Sequence, residues 1–356
     1  MGKLFITCCS LGIGGAERVL SILSTPFADE YNDVEILTWR NGPVLYNFDS
    51  RVKITSIKEQ SKSNNILRQM LWFRQYVRKS RPNLILSFLA QFNMLTLTSL
   101  LLTDVKIVVA ERIDPSKFKK GRILRFVRDL LYLKAVGILT QTQSGKNYFN
   151  SILRKKTEVI YNPIILEDDI IGAWNINSAD KIIISAARLV GQKNQKMLIE
   201  TFSRLHEIHQ DYKLIIFGEG DEREHLENLI SVKNLDGVVL LPGSTKQLWN
   251  EMLKSRMFVL SSNYEGMSNS LIEAMCLGLP CISTKVSGSV DLIKDGNNGL
   301  LVDIKNSQEL YEAMMQLVED DKKSVSIGKN ASKLFEQLNV NIISKQWVNY
   351  LNSIIN

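Results

Sequence analysis

The sequence predicts an α/β fold made of two doubly wound, Rossmann-like domains, each built on a parallel sheet. Strand-like and helix-like segments alternate from end to end, and the alternation restarts after a polar stretch in mid-chain. Several of the strands are continuous apolar runs, such as Leu84–Leu86 and Ile107–Val109. Such runs are typical of strands buried on both faces of a parallel sheet. A chain of 356 residues is also long enough for two domains.

The first half of the chain predicts a domain over residues 1–165. Seven strands are expected, at Lys3–Ser10, Asp33–Arg40, Val52–Lys58, Asn83–Leu89, Lys106–Arg112, Gly137–Ser144 and Thr157–Tyr161. Helical periodicity fills the gaps, for example at Glu17–Phe27 and Ile66–Val77. The pattern stops at Asn162-Pro163, and the acidic stretch Glu167–Asp180 that follows is predicted to be a linker.

A second alternating series predicts a domain over residues 166–338. Its expected strands are Lys181–Leu189, Lys213–Phe217, Val238–Leu241, Met257–Ser261 and Pro280–Thr284. The chain then becomes helical, at Ser307–Val318, Lys322–Leu338 and Val340–Ile355. The helix within residues 339–356 is expected to pack back on the first domain. Ligands of such folds bind at the carboxyl ends of the strands, so the cleft between the domains is the expected site.

The composition excludes several classes of protein. Hydrophobic residues make up 45% and charged residues 23% of the chain, which is ordinary for a globular protein and rules out disorder or a fibrous repeat. The longest apolar run, near Met94–Leu102, is about half of the ~20 residues that cross a bilayer. Met1–Leu4 lead straight into a strand and do not resemble a signal peptide. Four cysteines in so large a chain are expected to be thiols of a cytoplasmic protein.

The charge is divided unevenly between the two halves. Residues 1–165 carry 25 Lys and Arg against 12 Asp and Glu, and the remainder carries 19 against 25. Residues 66–81 and 112–134 interleave basic residues with Trp, Phe and Leu at helical spacing, which suits a segment lying on an anionic membrane. The alternative for each stretch is an ordinary core-facing helix with a basic outer face. Because both stretches fall in one half, membrane contact is favoured.

A glycine-rich loop with Gly12, Gly14 and Gly15 follows the first strand and opens the first helix. Glycine lets the backbone approach a phosphate or sugar closely, and a helix N-terminus favours an anion. NAD binding, or NADP binding through Arg40, is not favoured, because Glu17 replaces the third glycine and no carboxylate ends the second strand. A tight turn without a ligand is the alternative.

The most informative segment holds two carboxylates around the start of a predicted helix. Ser268 or Asn269 would cap that helix, and the N–H groups near Met267–Asn269 would form an anion site. Glu265 lies in the loop before the helix, and the side chain of Glu273 leans back toward the helix N-terminus. Two carboxylates beside a phosphate are electrostatically costly unless each binds hydroxyls, as on a ribose and a hexose. A solvated loop glutamate and a capping glutamate are the alternative.

Two cations, Arg188 and Lys193, follow the first strand of the second domain. Fixed cations at the carboxyl end of a strand can stabilise a leaving diphosphate as negative charge develops on it. A metal is then not required, and the sequence offers no constellation of metal ligands. The acidic runs lie in the predicted linker and at a helix end, and the three histidines fall on presumed amphipathic helices. No cofactor is expected.

Together these motifs resemble the family-4 retaining glycosyltransferases of the GT-B fold. The pattern of that family, two glutamates separated by seven residues and followed by A-M-x-x-G-x-P, stands here as Glu265-Gly266 and Glu273–Cys281. The resemblance extends in the same order over nearly the whole chain, through Gly14–Glu17, Arg188–Asn194, Phe217–Gly220, Leu241–Gly243 and Asp295–Val302.

The resemblance implies a role for each matched position. The implied donor-binding residues are Gly14, Gly15, Arg188, Lys193, Gly243, Ser244, Thr245, Glu265, Gly266, Met267, Ser268, Asn269 and Glu273. Glu273 would hold the ribose hydroxyls, and the base would lie near residues 243–245. The implied catalytic residues are Glu265, which would contact the transferred sugar, and Arg188 and Lys193, which would bind the diphosphate.

One position departs from the family pattern. Many members carry a histidine near the sugar in the first domain, and this chain has none before His206. The corresponding strand end reads Glu111-Arg112, which resembles members that act on polysaccharide and lipid-linked glycan precursors. Glu111 or Arg112 is therefore expected to contact the sugar or the acceptor.

The resemblance thus implies a retaining, metal-independent glycosyltransferase. It would move a hexose-type sugar from a nucleotide sugar, with UDP as the expected nucleotide, to a lipid-linked glycan acceptor in capsule, O-antigen or similar polysaccharide synthesis. The basic domain would bind the lipid diphosphate and anionic head groups, which places the protein in the cytoplasm at the inner membrane face, with no nucleic acid as partner. The alternatives are a sugar-nucleotide epimerase of the same architecture and a non-enzymatic basic protein that binds membranes or nucleic acid.

Overall fold

The structure, a computed structural model, describes residues 2–12, 14–118 and 121–355. Ile13 of the glycine loop and Lys119-Lys120 of the second basic stretch lie outside the described residues. The chain divides into two compact units, Met1–Ile165 with Asn339–Asn356, and Leu166–Leu338.

The first unit is built on a seven-stranded sheet. Its strands are β1 (Lys3–Cys8), β2 (Asp33–Thr38), β3 (Lys53–Ser56), β4 (Leu84–Phe88), β5 (Ile107–Ala110), β6 (Gly137–Thr140) and β7 (Thr157–Val159). They lie in the order β3-β2-β1-β4-β5-β6-β7, and every pairing is parallel. Strands β4, β5 and β6 are buried at every residue, which explains their uninterrupted apolar sequences.

Helices connect these strands, and capping side chains set where several of them begin. The helices are α1 (Gly15–Glu30), α2 (Ile57–Gln60), α3 (Ile66–Ser80), α4 (Ala90–Ser99), α5 (Gly121–Tyr132), α6 (Gln143–Tyr148) and α7 (Ser151–Lys155). Two strands are shorter than predicted for this reason. Ser56 caps α2 and ends the predicted strand 52–58, and Thr142 caps α6 and ends the predicted strand 137–144.

The second unit repeats this architecture on a six-stranded parallel sheet. Its strands are β8 (Ile182–Ala186), β9 (Lys213–Phe217), β10 (Val239–Gly243), β11 (Met257–Leu260), β12 (Cys281–Thr284) and β13 (Leu300–Val302), in the order β10-β9-β8-β11-β12-β13. All pairings are parallel. The predicted fold class, two doubly wound parallel-sheet units, is therefore confirmed. The sequence did not predict β13, which is only three residues long.

The helices of the second unit are α8 (Gln195–Ile208), α9 (Arg223–Val232), α10 (Leu248–Lys254), α11 (Asn269–Cys276), α12 (Ser287–Leu292), α13 (Ser307–Glu319), α14 (Asp321–Ser332) and α15 (Phe335–Leu338). The prediction of a single helix over Lys322–Leu338 is wrong, because α14 ends at Ser332 and a separate helix, α15, begins at Phe335. Among the residues that the structure describes, no helix is long and apolar enough to cross a membrane.

The last helix, α16 (Val340–Ile355), belongs to the first unit. Trp347 is fully buried, and its ring stacks on Phe88 with a centroid separation of 5.9 Å. The hydroxyl of Tyr31 on α1 donates to Oδ1 of Asn352 at 2.9 Å. Aromatic packing and a hydrogen bond thus hold α16 against the first sheet and its first helix.

The sequence predicted that the acidic stretch Glu167–Asp180 is a linker. This prediction is wrong, because the stretch is part of the second unit. Two short 3₁₀ turns occupy it, at Asp168–Ile170 and Ile176–Ser178. Between them Trp174 is buried, and its indole Nε1 donates to the carbonyl oxygen of Ser255 at 2.7 Å. One large side chain therefore anchors a segment whose other residues are mostly polar.

We expect Trp174→Ala to destabilise the second unit by about 3–5 kcal/mol, because the change leaves a cavity and an unpaired carbonyl oxygen. Urea unfolding followed by circular dichroism measures the shift. Asn177→Ala, at an exposed position of the same segment, is the control and should leave the transition unchanged. Equal transitions for Trp174→Ala and the wild type would show that the segment is a linker after all.

Candidate functional site

The predicted site residues of the second unit gather where the strand order of its sheet reverses. Strands β8 and β11 are neighbours and parallel, so the loops that follow them leave the same edge of the sheet. Arg188 and Lys193 lie on the loop after β8, and Glu265 lies on the loop after β11. A reversal of this kind opens the crevice in which doubly wound sheets bind ligands.

Hydrogen bonds hold these two loops together. The hydroxyl of Ser261 donates to the carbonyl oxygen of Lys193 at 3.0 Å. Nε2 of Gln192 donates to the carbonyl oxygen of Tyr264 at 2.9 Å, and the backbone N–H of Asn263 donates to the carbonyl oxygen of Gln192 at 2.8 Å. The backbone that carries Lys193 is therefore fixed by the loop that carries Glu265.

The side chains of Lys193 and Glu265 form an ion pair. The ammonium group of Lys193 contacts Oε2 of Glu265, and both side chains are largely buried. The hydroxyl of Ser262 donates to the same carboxylate oxygen at 3.3 Å. The sequence placed both residues in one site but did not predict that they bind each other. Each neutralises the other's charge, so a diphosphate in this crevice would compete with Glu265 for the ammonium group.

Helix α11 begins at the same edge of the sheet. Of the two possible caps, Ser268 is the N-cap, and its hydroxyl accepts from the backbone N–H of Leu271 at 3.4 Å. The hydroxyl of Ser270 donates to the carbonyl oxygen of Ala186, the last residue of β8, at 2.8 Å. The first turn of α11 therefore lies beside the start of the Arg188 loop, where its N–H groups favour an anion.

Glu273 lies in the second turn of α11 and is only 2% exposed. A carboxylate at such a depth is rarely found in a protein interior without partners. Its charge acts on a neighbouring thiol: burial, and secondarily Glu273, raise the pKa of Cys276 to about 12. Cys276 is accordingly a packing residue and not a nucleophile.

Two glycines let the backbone pass close to the site loops. At Gly218, after β9, φ is 138°, and an added Cβ would lie 2.0 Å from the carbonyl oxygen of Ala187. At Gly288, in the first turn of α12, an added Cβ would lie 2.1 Å from the carbonyl oxygen of Gly266. A side chain at either position would displace a site loop.

The residues predicted to surround the base lie at the end of β10, two strands from β8. The backbone N–H of Gly218 donates to the carbonyl oxygen of Gly243 at 2.9 Å, which ties this strand end to the loop after β9. Ser244 is exposed, and Thr245 is half-buried with its hydroxyl accepting from the backbone N–H of Gln247 at 3.0 Å.

In the first unit, Gly14 and Gly15 lie at the start of α1, after the central strand β1. A Cβ on Gly14 would lie 2.1 Å from Oε2 of Glu17, so this carboxylate folds back over the helix N-terminus. An acid in the first turn is favourable there because of the helix dipole. The sequence identified Glu17 as a departure from a dinucleotide motif and as part of the matched segment Gly14–Glu17, but assigned it no role.

Glu111, at the end of β5, is buried among partners that sequence reasoning missed. The hydroxyl of Tyr132 donates to its Oε1 at 2.5 Å, and Nη1 of Arg128 lies 3.9 Å from the same oxygen. Burial raises the pKa of Glu111, although the Arg128 charge and the hydrogen bond from Tyr132 act in the opposite direction. Both partners come from α5, in the second basic stretch.

Arg112 is also buried within the first unit. Its Nη2 donates to Oδ1 of Asn162 at 2.6 Å, and its guanidinium group lies over the rings of Phe88 and Trp347, 5.6 and 6.0 Å from the centroids. Burial lowers the pKa of Arg112 to about 9. No sequence pattern indicated these contacts, because Trp347 lies on α16, more than 200 residues away in the chain.

Helices α3 and α5 lie within the two basic stretches, and α5 does not have the core-facing arrangement that was the alternative to membrane contact. Arg128 is fully buried in a cage of aromatic rings, whereas Ile123, Phe126 and Leu130 are 81%, 69% and 56% exposed. Helix α3 buries Phe73 but also exposes apolar side chains, Leu67 and Leu71. An apolar face that borders basic residues therefore lies open to solvent.

Within residues 2–12, 14–118 and 121–355, no group of three or more His, Cys, Asp or Glu side chains could hold a metal ion.

Comparison with known proteins identifies the class. Residues 167–334 match the model of the family "Glycosyl transferases group 1". A relative from Campylobacter jejuni, the N-acetylgalactosamine-N,N'-diacetylbacillosaminyl-diphospho-undecaprenol 4-alpha-N-acetylgalactosaminyltransferase, is 30% identical, with 96% of this chain and 97% of the relative covered. A second enzyme of that organism, the GalNAc-alpha-(1->4)-GalNAc-alpha-(1->3)-diNAcBac-PP-undecaprenol alpha-1,4-N-acetyl-D-galactosaminyltransferase, is 24% identical over the full length of both chains.

The fold is shared with a solved structure, that of HepE from Anabaena in complex with UDP-glucose. The TM-score is 0.84 at 20% identity, and 99% of each chain is covered. The protein is a glycosyltransferase of two Rossmann-like units. It belongs to the glycosyl transferases group 1 family, as the sequence motifs predicted.

Proposed function

We propose that this glycosyltransferase moves a sugar from UDP to a lipid-linked glycan acceptor, with retention of the anomeric configuration and without a metal ion. The observation that carries the proposal is the convergence of Lys193, Glu265 and the first turn of α11 at the strand reversal of the second sheet. The names of the two Campylobacter relatives, which contain undecaprenol, and the UDP-glucose complex of HepE support the choice of acceptor and donor.

Residues of the second unit bind the diphosphate of the donor and the groups attached at either side of it. Arg188, Lys193 and the N-terminus of α11 bind the phosphates, because each supplies positive charge at the same edge of the sheet. Glu273, further along α11, accepts hydrogen bonds from the ribose hydroxyls. The base lies toward the end of β10, near residues 243–245. Binding of the diphosphate to Lys193 frees Glu265, whose carboxylate then accepts from hydroxyls of the sugar.

The same cations account for the chemistry. The bond between the anomeric carbon and the β-phosphate oxygen breaks, and the acceptor oxygen bonds to that carbon on the same face. The departing phosphate oxygen takes the proton of the acceptor hydroxyl. Arg188 and Lys193 stabilise the negative charge that develops on UDP, which is the role that a divalent ion plays where fixed cations are lacking.

The direct test incubates the enzyme with a panel of UDP-sugars and polyprenyl-diphosphate-linked glycans, with and without EDTA. We expect acceptor-dependent release of UDP at the same rate in EDTA, and a product whose anomeric configuration, determined by NMR, matches the donor. Loss of turnover in EDTA that Mg²⁺ restores would contradict metal independence, and an inverted product would contradict retention. Conversion of the UDP-sugar without an acceptor would indicate an epimerase.

We expect Glu273→Gln to weaken UDP binding by about 1.5–3 kcal/mol, since hydrogen bonds to a charged acceptor are worth that much and the amide keeps the side-chain volume. Isothermal titration calorimetry measures the change. Glu224→Gln, at an exposed position of α9, is the matched control and should bind UDP as the wild type does. An unchanged affinity in Glu273→Gln would remove the ribose assignment.

We also propose that the first unit lies on an anionic membrane surface through α3 and α5. The exposed apolar residues of α5 would enter the headgroup region, and the neighbouring basic residues, such as Arg122, Arg125 and Lys134, would face anionic lipids. An apolar face rimmed by positive charge is the arrangement that this environment stabilises.

We expect Ile123→Gln to weaken binding to vesicles of phosphatidylglycerol and phosphatidylcholine by about 1.5–3 kcal/mol, the value of burying one such side chain. Co-sedimentation measures the bound fraction. Ile208→Gln, at an exposed isoleucine of the second unit, is the matched control. If the two variants bind vesicles equally well, α5 is not the contact surface.

A further inference from the structure

A groove of about 660 Å³ opens in the first unit, at a place that the sequence did not indicate. Its walls come from the segments that follow β2 and β3 and from the first turns of α3 and α4, with Phe118 and Leu124 closing the side next to β5. Helices of a parallel α/β unit run opposite to the strands, so these first turns lie at the carboxyl edge of the sheet. That is the edge at which such folds bind ligands.

The lining of the groove has a definite chemical character. More than half of its side chains are apolar, among them Phe92, Met94 and Leu124. Among the lining residues that the structure describes, two are cations, Arg40 and Lys58, four are amides, and none is an acid. Neither cation has an ion-pair partner in the part of the chain that the structure describes. The positive charge is therefore available to an anion from outside the protein.

The cations and the apolar wall lie at different ends of the groove. Arg40 follows β2 and Lys58 lies on α2, after β3, whereas Met94 lies on α4, after β4, and Leu124 lies on α5, after β5. Because the strand order is β3-β2-β1-β4-β5, the cations stand at one end of the groove and a mainly apolar wall stands at the other. This polarity matches a molecule with an anionic head and a hydrocarbon chain.

We propose that this groove binds the lipid part of the acceptor, with its phosphate at Arg40 and Lys58 and its first hydrocarbon units along α4 and α5. The proposal rests on the proposed function, because it assumes a lipid-linked acceptor. It adds that the enzyme binds the hydrocarbon chain of the lipid as well as its diphosphate.

The exposed face of α5 gives the chain a path out of the groove. Leu124 lies in the lining, and the adjacent Ile123, together with Phe126, lies on the exposed apolar face of the same helix. A hydrocarbon chain that leaves the groove past Leu124 would therefore remain on apolar surface up to the face that we propose contacts the membrane.

The test uses farnesyl diphosphate as a soluble probe, with methyl diphosphate as the head group alone. UDP is present at saturation, so that the donor site is occupied and does not bind the probes. We expect farnesyl diphosphate to bind at least about tenfold more tightly than methyl diphosphate, because the chain buries apolar surface. Isothermal titration calorimetry measures both affinities.

Variants of the lining separate the two ends of the groove. Leu124→Gln should weaken farnesyl diphosphate binding severalfold and leave methyl diphosphate unaffected, and Arg40→Gln should weaken both. Leu102→Gln, at an exposed leucine between α4 and β5 and outside the lining, is the matched control and should change neither affinity.

Three results would overturn the proposal. The first is equal affinity for the two diphosphates, and the second is an equal effect of Leu124→Gln and Leu102→Gln. The third is an affinity for dihexanoylphosphatidylglycerol, measured by competition with farnesyl diphosphate, that equals the affinity for farnesyl diphosphate. That result would indicate a general lipid site. Thermal stabilisation by UDP is measured on the same preparations. If UDP stabilises the protein while farnesyl diphosphate fails to bind, only the groove assignment is wrong; if UDP does not stabilise it, the proposed function fails as well.

Discussion

The candidate site depends on the hydrogen-bonded contact between the loops after β8 and β11. Parallel strands end at one edge of a sheet, and the reversal of strand order leaves a crevice between these two loops. Ser261 and Gln192 fix the loops to each other, and glycines at 218 and 288 let neighbouring backbone come close enough to support them. Lys193, Glu265 and the first turn of α11 meet because this contact exists. Their chemistry is a consequence of the sheet topology.

Under the function that we propose, the ion pair between Lys193 and Glu265 lets the site hold a cation for a diphosphate and an acid for a sugar side by side. A largely buried charge without a partner destabilises a protein, so two opposite charges that neutralise each other are tolerated where either one alone is not. A donor that carries both an anionic diphosphate and hydroxyl groups satisfies both residues at once. Phosphate alone satisfies one of them and leaves the other unpaired, which favours the complete nucleotide sugar.

Much of this architecture could be predicted from the sequence because it is encoded locally. Apolar runs predict buried strands, Ser268 is one of the two caps predicted for α11, and the spacing of Glu265 and Glu273 predicts the donor site that we propose. Features that depend on distant packing could not be predicted. Trp174 anchors a stretch that the sequence predicted to be a linker. Arg128 lies on the buried face of α5 because aromatic rings from other segments surround its guanidinium group. Glu111 contacts a side chain of α5, and Arg112 contacts a side chain of α16. The groove likewise requires five separate segments to come together.

An experimental structure of the protein with UDP tests the central claim most directly. The account predicts the pyrophosphate beside Arg188 and the first turn of α11, with the ammonium group of Lys193 moved from Glu265 to a phosphate oxygen and the ribose hydroxyls on Glu273. A structure in which Lys193 still pairs with Glu265 while UDP occupies another part of the second unit would contradict it.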